Sequence, residues 1–343
     1  MTRTFPTAIL WFRSDNRKSA GLSVIAFVLV AAGAVAQAQQ PTKIPRIGWL
    51  TGGFLSSTPA RQQAFRQGLS ELGYVEGKNI LIEWCGADNI PGRSRALAEE
   101  LVRLKVDVIV TASEGQTRTA KEATSTIPIV MASSDDPVGN GLVASLARPG
   151  GNITGLSQLS PELSGKRLEI LKEVLPKLSR LAVFGTSSSV GQPQVMKEIE
   201  RAAAAFGVKL QYLDVLTTKD IEPAFREAVK GRADAVLEII AGNIRSAHRK
   251  ELAELAVKHR LPVMRERPEH AEAGGLMSYG VNLPDLDRRA ATHVDKILKG
   301  AKPAEIPVEQ ATKFEFIINL KAAKQIGLTI PPNVLARADR VIK

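Results

Sequence analysis

From Ile44 almost to the C-terminus the chain alternates short apolar runs with amphipathic helical patterns, and few folds accommodate that grammar. Repeated strand–helix units of this kind lay parallel strands in a sheet and helices on its faces, an α/β architecture. In a first series the spacing predicts strands over 47–51, 79–84, 106–111 and 127–132, with 153–157 leading out. The run 106–111 is apolar almost throughout, as a strand buried on both faces must be. The first helix is expected to be capped by Thr58 with Pro59 at its first position, to bury Ala64, Phe65, Leu69 and Leu72, and to stop at Gly73. Helices over 94–104 and 115–125 follow. A second series repeats the grammar: helices over 160–175, 194–206, 221–229, 245–259 and 286–298 interleave with strands over 181–185, 210–215, 235–240, 261–264 and 276–279. The tail reads as a strand over 314–318 and a helix over 320–326. Two open α/β sheets in one chain make a cleft when they face each other, because such sheets bind ligands outside the carboxyl ends of their strands.

The first 38 residues do not belong to this pattern. Arg13, Arg17 and Lys18 precede an apolar run over 20–35 that ends in Ala36-Gln37-Ala38, the build of a secretory signal peptide. Cleavage there leaves Gln39 as the N-terminus and a protein working outside the cytoplasm. A retained anchor needs about 20 apolar residues, and Gly33 and Gln37 interrupt this run first. No cysteine directly follows the run, so no lipid attachment at the new N-terminus is expected. The formal charge of +11 loses 3 with this leader (Arg3, Arg13, Arg17 and Lys18 against Asp15) and leaves +8. Lys and Arg are nonetheless scattered singly along the helices and form no basic run, which argues for a solvated surface and against a nucleic-acid partner. The single cysteine, Cys85, has no partner for an internal disulfide and reads as a partly buried small apolar residue.

Enzymatic readings find no apparatus. Residues 139–144 formally match G-x-G-x-x-A, but they follow Asp136-Pro137 late in the first series and are soon ended by Arg148-Pro149-Gly150, the wrong context for a dinucleotide fingerprint. There is no phosphate loop, no G-x-S-x-G elbow and no H-E-x-x-H. His248, His259, His270 and His293 are scattered, and with one cysteine no metal site is expected. No cofactor is predicted.

The stretches 126–157 (TIPIVMASSDDPVGNGLVASLARPGGNITGLS), 274–289 (GGLMSYGVNLPDLDRR) and 294–335 (VDKILKGAKPAEIPVEQATKFEFIINLKAAKQIGLTIPPNVL) resemble the ABC transporter substrate-binding protein family that includes tryptophan/tyrosine-binding members. The resemblance covers nearly the whole mature chain. It implies a type I periplasmic binding protein: two Rossmann-like lobes, three hinge crossovers, a small-molecule ligand in the cleft and delivery to an ABC permease at the inner membrane. It places the crossovers at 153–159, 276–280 and near 308–312. Lobe one would be 43–154 plus 279–306, and lobe two 155–278 plus 307–343. The periplasm is the expected compartment, and a monomer the expected state, because cleft opening and permease docking need both lobe faces free.

Ligand contacts are expected from strand-end loops: 51–57, 111–116 and 133–136 on one side, and 186–192, 241–243 and 265–270 on the other. From these loops and the second crossover come Gly52, Phe54, Ser113, Gln116, Ser134, Asp136, Thr186, Asn243, Glu266 and Tyr279 as ligand-binding residues. Hydroxyls and unpaired N–H groups of a helix start suit a carboxylate, so Ser113 and the 114–117 backbone are the first choice for one. An ammonium group would take Asp135, Asp136, Glu238 or Glu266, although Asp136-Pro137 is also an ordinary turn. Tyr279 either lines the cleft or braces the hinge, and Phe54 is a second wall. Aromatics make up only 5% of the chain, and the segment 266–270 (ERPEH) is densely charged, so the ligand class stays at an amino acid or related carboxylate. A ligand-responsive repressor of this fold would carry a helix-turn-helix where this chain has a leader. A periplasmic sensing module feeding a receptor stands as the alternative to transport.

Overall fold

The computed structural model describes residues 43–189, 191–240, 244 and 248–343. The expected leader and Asn243 lie outside them. A first sheet consists of β1 (Arg46–Thr51), β2 (Leu81–Gly86), β3 (Val108–Thr111), β4 (Ile129–Ser134), β5 (Ile153–Ser157) and the two-residue β11 (Glu309–Gln310), all parallel, in the order β11-β5-β4-β3-β1-β2. A second sheet consists of β6 (Arg180–Gly185), β7 (Lys209–Asp214), β8 (Ala235–Ile239), β9 (Val263–Arg265), β10 (Met277–Val281), β12 (Phe314–Asn319) and β13 (Arg340–Ile342), in the order β13-β12-β10-β9-β8-β6-β7. Only the β10–β12 pairing is antiparallel. Both sheets therefore reverse their strand order beside their first strand, β1/β3 in one and β6/β8 in the other, and open α/β sheets take ligands at that reversal.

Helices α1 (Pro59–Glu71), α2 (Arg93–Arg103), α3 (Glu114–Ala123) and α9 (Leu283–Leu298) cover the first sheet. Helices α4 (Ser160–Val174), α5 (Gln192–Phe206), α6 (Ile221–Lys230), α7 (Arg249–Lys258), α8 (Pro268–Glu272), α10 (Leu320–Ile326) and α11 (Pro332–Leu335) accompany the second. Sheet burial explains the apolar strands: every residue of β3 and β4 is buried. The first core closes around the rings of Trp49, Phe65 and Trp84, with Trp49–Phe65 centroids 4.8 Å apart. The second carries an edge-to-face Phe184–Phe225 pair at 4.9 Å. Such pairs add about 0.5–1.5 kcal/mol each to the burial of their area.

The chain crosses between the sheets three times, from β5 to α4, from β10 to α9, and from β11 to β12. The crossings are laced together: Ala311 N donates to Ser157 O at 2.9 Å and Asn282 N to Lys313 O at 3.0 Å, while Arg167 Nε donates to Tyr279 O at 2.7 Å. Gly155, in β5, sits at φ +136°, and a Cβ there would stand 2.1 Å from Met131 O, so only glycine lets β5 lie this close to β4.

Three expectations change. Thr58 does not cap α1 with its side chain, because the 3-10 turn Leu55–Ser57 runs directly into the helix and holds Thr58 at ψ 45°, away from the extended backbone a cap requires. Leu72, expected on the buried face of α1, lies past the end of the helix and is 37% exposed. Sheet membership also differs from the expected lobe edges. Residues 155–157 and Glu309–Gln310 hydrogen-bond within the first sheet, and Tyr279–Val281 within the second, because each crossing begins as a strand of the sheet it is leaving. Among the described residues no helix is long and apolar enough to cross a membrane.

Candidate functional site

On the first sheet the crevice is built from the loops after β1, β3 and β4. Gly52 lies against Gln116; a Cβ at Gly52 would stand 2.5 Å from Gln116 Nε2. Ser113 precedes α3 with an extended backbone, but its hydroxyl donates to Gln116 Oε1 and leaves the helix start uncapped. The first turn of α3 is served by Glu114, an acid where the helix dipole favours one. Glu114 Oε2 accepts from Asn140 Nδ2 at 2.8 Å and from Ser134 Oγ at 3.2 Å. Burial, then the charge of Asp135, push its carboxyl above the ordinary range, against the pull of those donors. The helix start expected to receive a ligand carboxylate thus carries an acid of the protein, and Ser134 serves that acid.

Asp136 behaves as the turn residue that Asp-Pro suggests: its Oδ1 accepts from Gly139 N at 2.9 Å. Residues 139–144 form turns and no helix, so the glycine pattern is not a dinucleotide loop. Deeper in, Arg61 of α1 forks onto Asp287 of α9, Nε–Oδ2 2.6 Å and Nη2–Oδ1 2.9 Å, and donates to Ala112 O at 3.0 Å at the end of β3.

From the second sheet, Thr186 is buried and donates to Val215 O at 2.9 Å, an internal role. Glu238, expected as an ammonium partner, is paired with Arg265 at 2.8 Å, both 1% exposed. Glu266 Oε1 accepts from Arg267 Nε at 3.1 Å. The Glu266 backbone is pressed against β10: a Cβ at Gly280 would stand 1.9 Å from Glu266 O. Tyr279 packs its ring by Phe314 and Phe316, centroids 6.2 Å away in each case, and joins the cores on both sides, the arrangement of a hinge brace.

The two faces meet. Ser160 Oγ donates to Asp135 Oδ1 at 3.0 Å, and a Cβ at Gly191 would lie 3.4 Å from Asn140 Nδ2. A hollow of about 150 Å³ remains between them, lined by Asp135, Asp136, Ser157, Glu162, Gln194 and Gln310 among others. Phe54 is elsewhere. Half exposed, it lines an open groove of about 480 Å³ along the edge strand β2 with Trp84, Cys85, Arg93 and Leu97. Burial there pushes the Cys85 thiol up to about 11, an inert thiol. Sequence reasoning missed Arg61, Asn140, Arg267 and Asp287. The only signal for Arg267 was the charged run 266–270.

Two mostly parallel α/β sheets, three crossings and a polar crevice at both strand reversals define the type I periplasmic-binding-protein class. The sequence pattern of the family described as ABC transporter substrate binding protein matches residues 56–342, and the chain belongs to that family. Its members bind substrates rather than transform them, in keeping with the lack of catalytic motifs. The chain is 28% identical over 268 residues to a tyrosine-binding protein of Clostridioides difficile (strain R20291), covering 78% of this chain and 76% of that one. It is similar to the ABC domain from Streptococcus pneumoniae solved in complex with L-Trp, with 26% identity, a TM-score of 0.79, and 87% of this chain and 99% of that one covered. It is also similar to a Clostridium difficile substrate-binding protein with adhesive properties solved ligand-free and open, with 25% identity, a TM-score of 0.69, and coverage of 88% and 99%.

Proposed function

We propose that this chain is the periplasmic solute-binding component of an ABC importer, which holds an amino acid or related carboxylate between its lobes and delivers it to a membrane permease. The observation that carries the reading is the meeting of two strand-reversal faces, joined by three crossings, with polar loops in contact across them. The relatives named for tyrosine and solved with L-Trp support an amino acid as ligand. The fit is closer to the L-Trp complex than to the ligand-free open protein, at nearly equal identity, which supports a closed arrangement here. Each sheet with its helices acts as one lobe of a monomer. Ligand bridging both faces favours the closed state by its differential affinity, and the closed lobe surfaces are what the permease reads.

A thermal-shift screen of the purified protein against amino acids, aromatic acids, short peptides and sugars tests the reading. Amino acids are expected to raise the melting temperature progressively with ligand concentration, since a ligand of the native state stabilises by mass action. Small-angle scattering with the same ligand is expected to report compaction or retention of a compact form. A shift from sugars alone would refute the ligand class, and ligand-bound protein that is more extended than the free form would refute closure.

A further inference from the structure

We infer that Arg267 is the residue that receives the ligand's carboxylate in this crevice, an assignment that rests on the solute-binding reading above. Arg267 follows β9 at the strand-end face of the second sheet, with its side chain 17% exposed and its Nε held by Glu266 Oε1 at 3.1 Å. Its Nη1 is shut off from solvent and has no hydrogen-bond acceptor among the described residues. A buried guanidinium N–H without an acceptor is costly and is a place built for an incoming anion.

The neighbouring arginines are committed. Arg61 makes three bonds to Asp287 and Ala112. Arg265 is paired with Glu238, and Arg167 is bonded to Tyr279 O and to Ser164 Oγ. Arg267 faces the opposite loop as well. Burial works against its charge, but Glu266, Asp135 and Glu269 more than offset that and raise its pKa, and its field reaches Asp287 of α9. Asp135 belongs to the loop after β4, so the guanidinium acts across the crevice. The tight approach of the Glu266 backbone to Gly280 fixes where that guanidinium stands relative to the second crossing.

The acid facing it names the rest of the ligand. Asp135, held by Ser160 Oγ at 3.0 Å on the first-sheet side, is suited to an ammonium group, so the class taken is an α-amino acid rather than a simple carboxylic acid or an amine.

Calorimetric titration of wild type, Arg267→Lys and Arg267→Gln with L-tyrosine, tyramine and 3-(4-hydroxyphenyl)propionate, and with the tryptophan counterparts, tests this. Wild type is expected to bind the amino acid about thirtyfold or more tightly than the amine, and Arg267→Gln to abolish most of that difference while leaving tyramine or tryptamine affinity little changed. Arg267→Lys, which keeps the charge and the fold, is expected to retain part of it. Equal losses for acid and amine, or full affinity in both variants, would overturn the assignment while wild-type binding leaves the solute-binding reading intact. Binding of none of the carboxylates by wild type would overturn the inference and its ligand class together.

Discussion

Removing the Asp287 carboxylate should unlatch helix α9 from the first sheet. Asp287 is fully buried, its partner Arg61 is 14% exposed, and the two meet in a fork of 2.6 and 2.9 Å across 226 residues of chain. In Asp287→Ala the guanidinium keeps only Ala112 O as an acceptor among the described residues. Stranding one member of a buried pair costs about 3–5 kcal/mol. With an unfolding entropy near 2.1 cal/mol/K per residue, a chain of roughly 300 residues loses about 1.6 °C per kcal/mol, so the melting temperature should fall by about 5–8 °C. Urea denaturation read by tryptophan fluorescence is the sharper assay, because Trp49 and Trp84, the only tryptophans beyond the leader, both sit in the first core beside α1 and α9. The midpoint should drop with little change in slope. The double variant Arg61→Met/Asp287→Leu should recover most of the loss, since an apolar pair of similar volume replaces a buried ion pair at little cost. A loss below about 1 kcal/mol in the single variant would refute the reasoning about magnitude. A double variant as unstable as the single would show that shape, not the stranded charge, sets the cost.

The Glu266 backbone has no room to yield at Gly280, where an added Cβ would stand 1.9 Å from Glu266 O. Gly280→Ala should therefore destabilise by about 1–3 kcal/mol, the ordinary cost of overpacking, with a matching fall in urea midpoint; an unchanged midpoint would mean the loop is free to move. Glu114 carries the pH prediction. Its carboxyl is raised above the ordinary range by burial and by Asp135, so the native state holds its proton more tightly than the unfolded chain. Its contribution is fully present below the unfolded pKa and is lost as pH rises through the native one. Glu114→Gln, whose amide oxygen still accepts from Ser134 and Asn140, should remove that slope, so the variant gains on wild type as pH climbs through and above the ordinary carboxylate range. Parallel pH–stability curves for the two proteins would contradict it.

The alternation of apolar runs made the two sheets legible, because strand periodicity and burial are local properties of the chain. The edges were less so. The strand expected over 127–132 is Ile129–Ser134, since Ile127 N is bonded to Thr124 Oγ1 at 3.1 Å and its carbonyl to Asn152 Nδ2 at 2.9 Å, and Pro128 has no N–H to give a ladder. The strand expected over 106–111 begins at Val108 for a similar reason: Asp107 turns its backbone N–H to Arg46 O at 2.7 Å and its carboxylate to Arg46 N at 2.8 Å. Glu309–Gln310 is too short to carry a period at all, although it closes one edge of the first sheet.

The crevice was legible as a set of loops and illegible as chemistry, and the arginines show why. Arg61, Arg167, Arg265 and Arg267 look alike in sequence, each a cation among polar or amphipathic neighbours. Which of them can take a ligand depends on which acceptors folding has already assigned, and those come from far along the chain: Asp287 for Arg61, Tyr279 O for Arg167, Glu238 for Arg265. Arg267 donates its Nε to its own neighbour, Glu266, and its Nη1 is left buried with no acceptor among the described residues. The reverse happened to Ser113 and Thr186. Both had the right atoms at the right strand ends, and folding turned their hydroxyls to Gln116 and to Val215 O. A strand-end loop supplies an inventory of polar groups, and the long-range pairings subtract from it; the groups that remain buried and unpaired after that subtraction are the ones a ligand can complete.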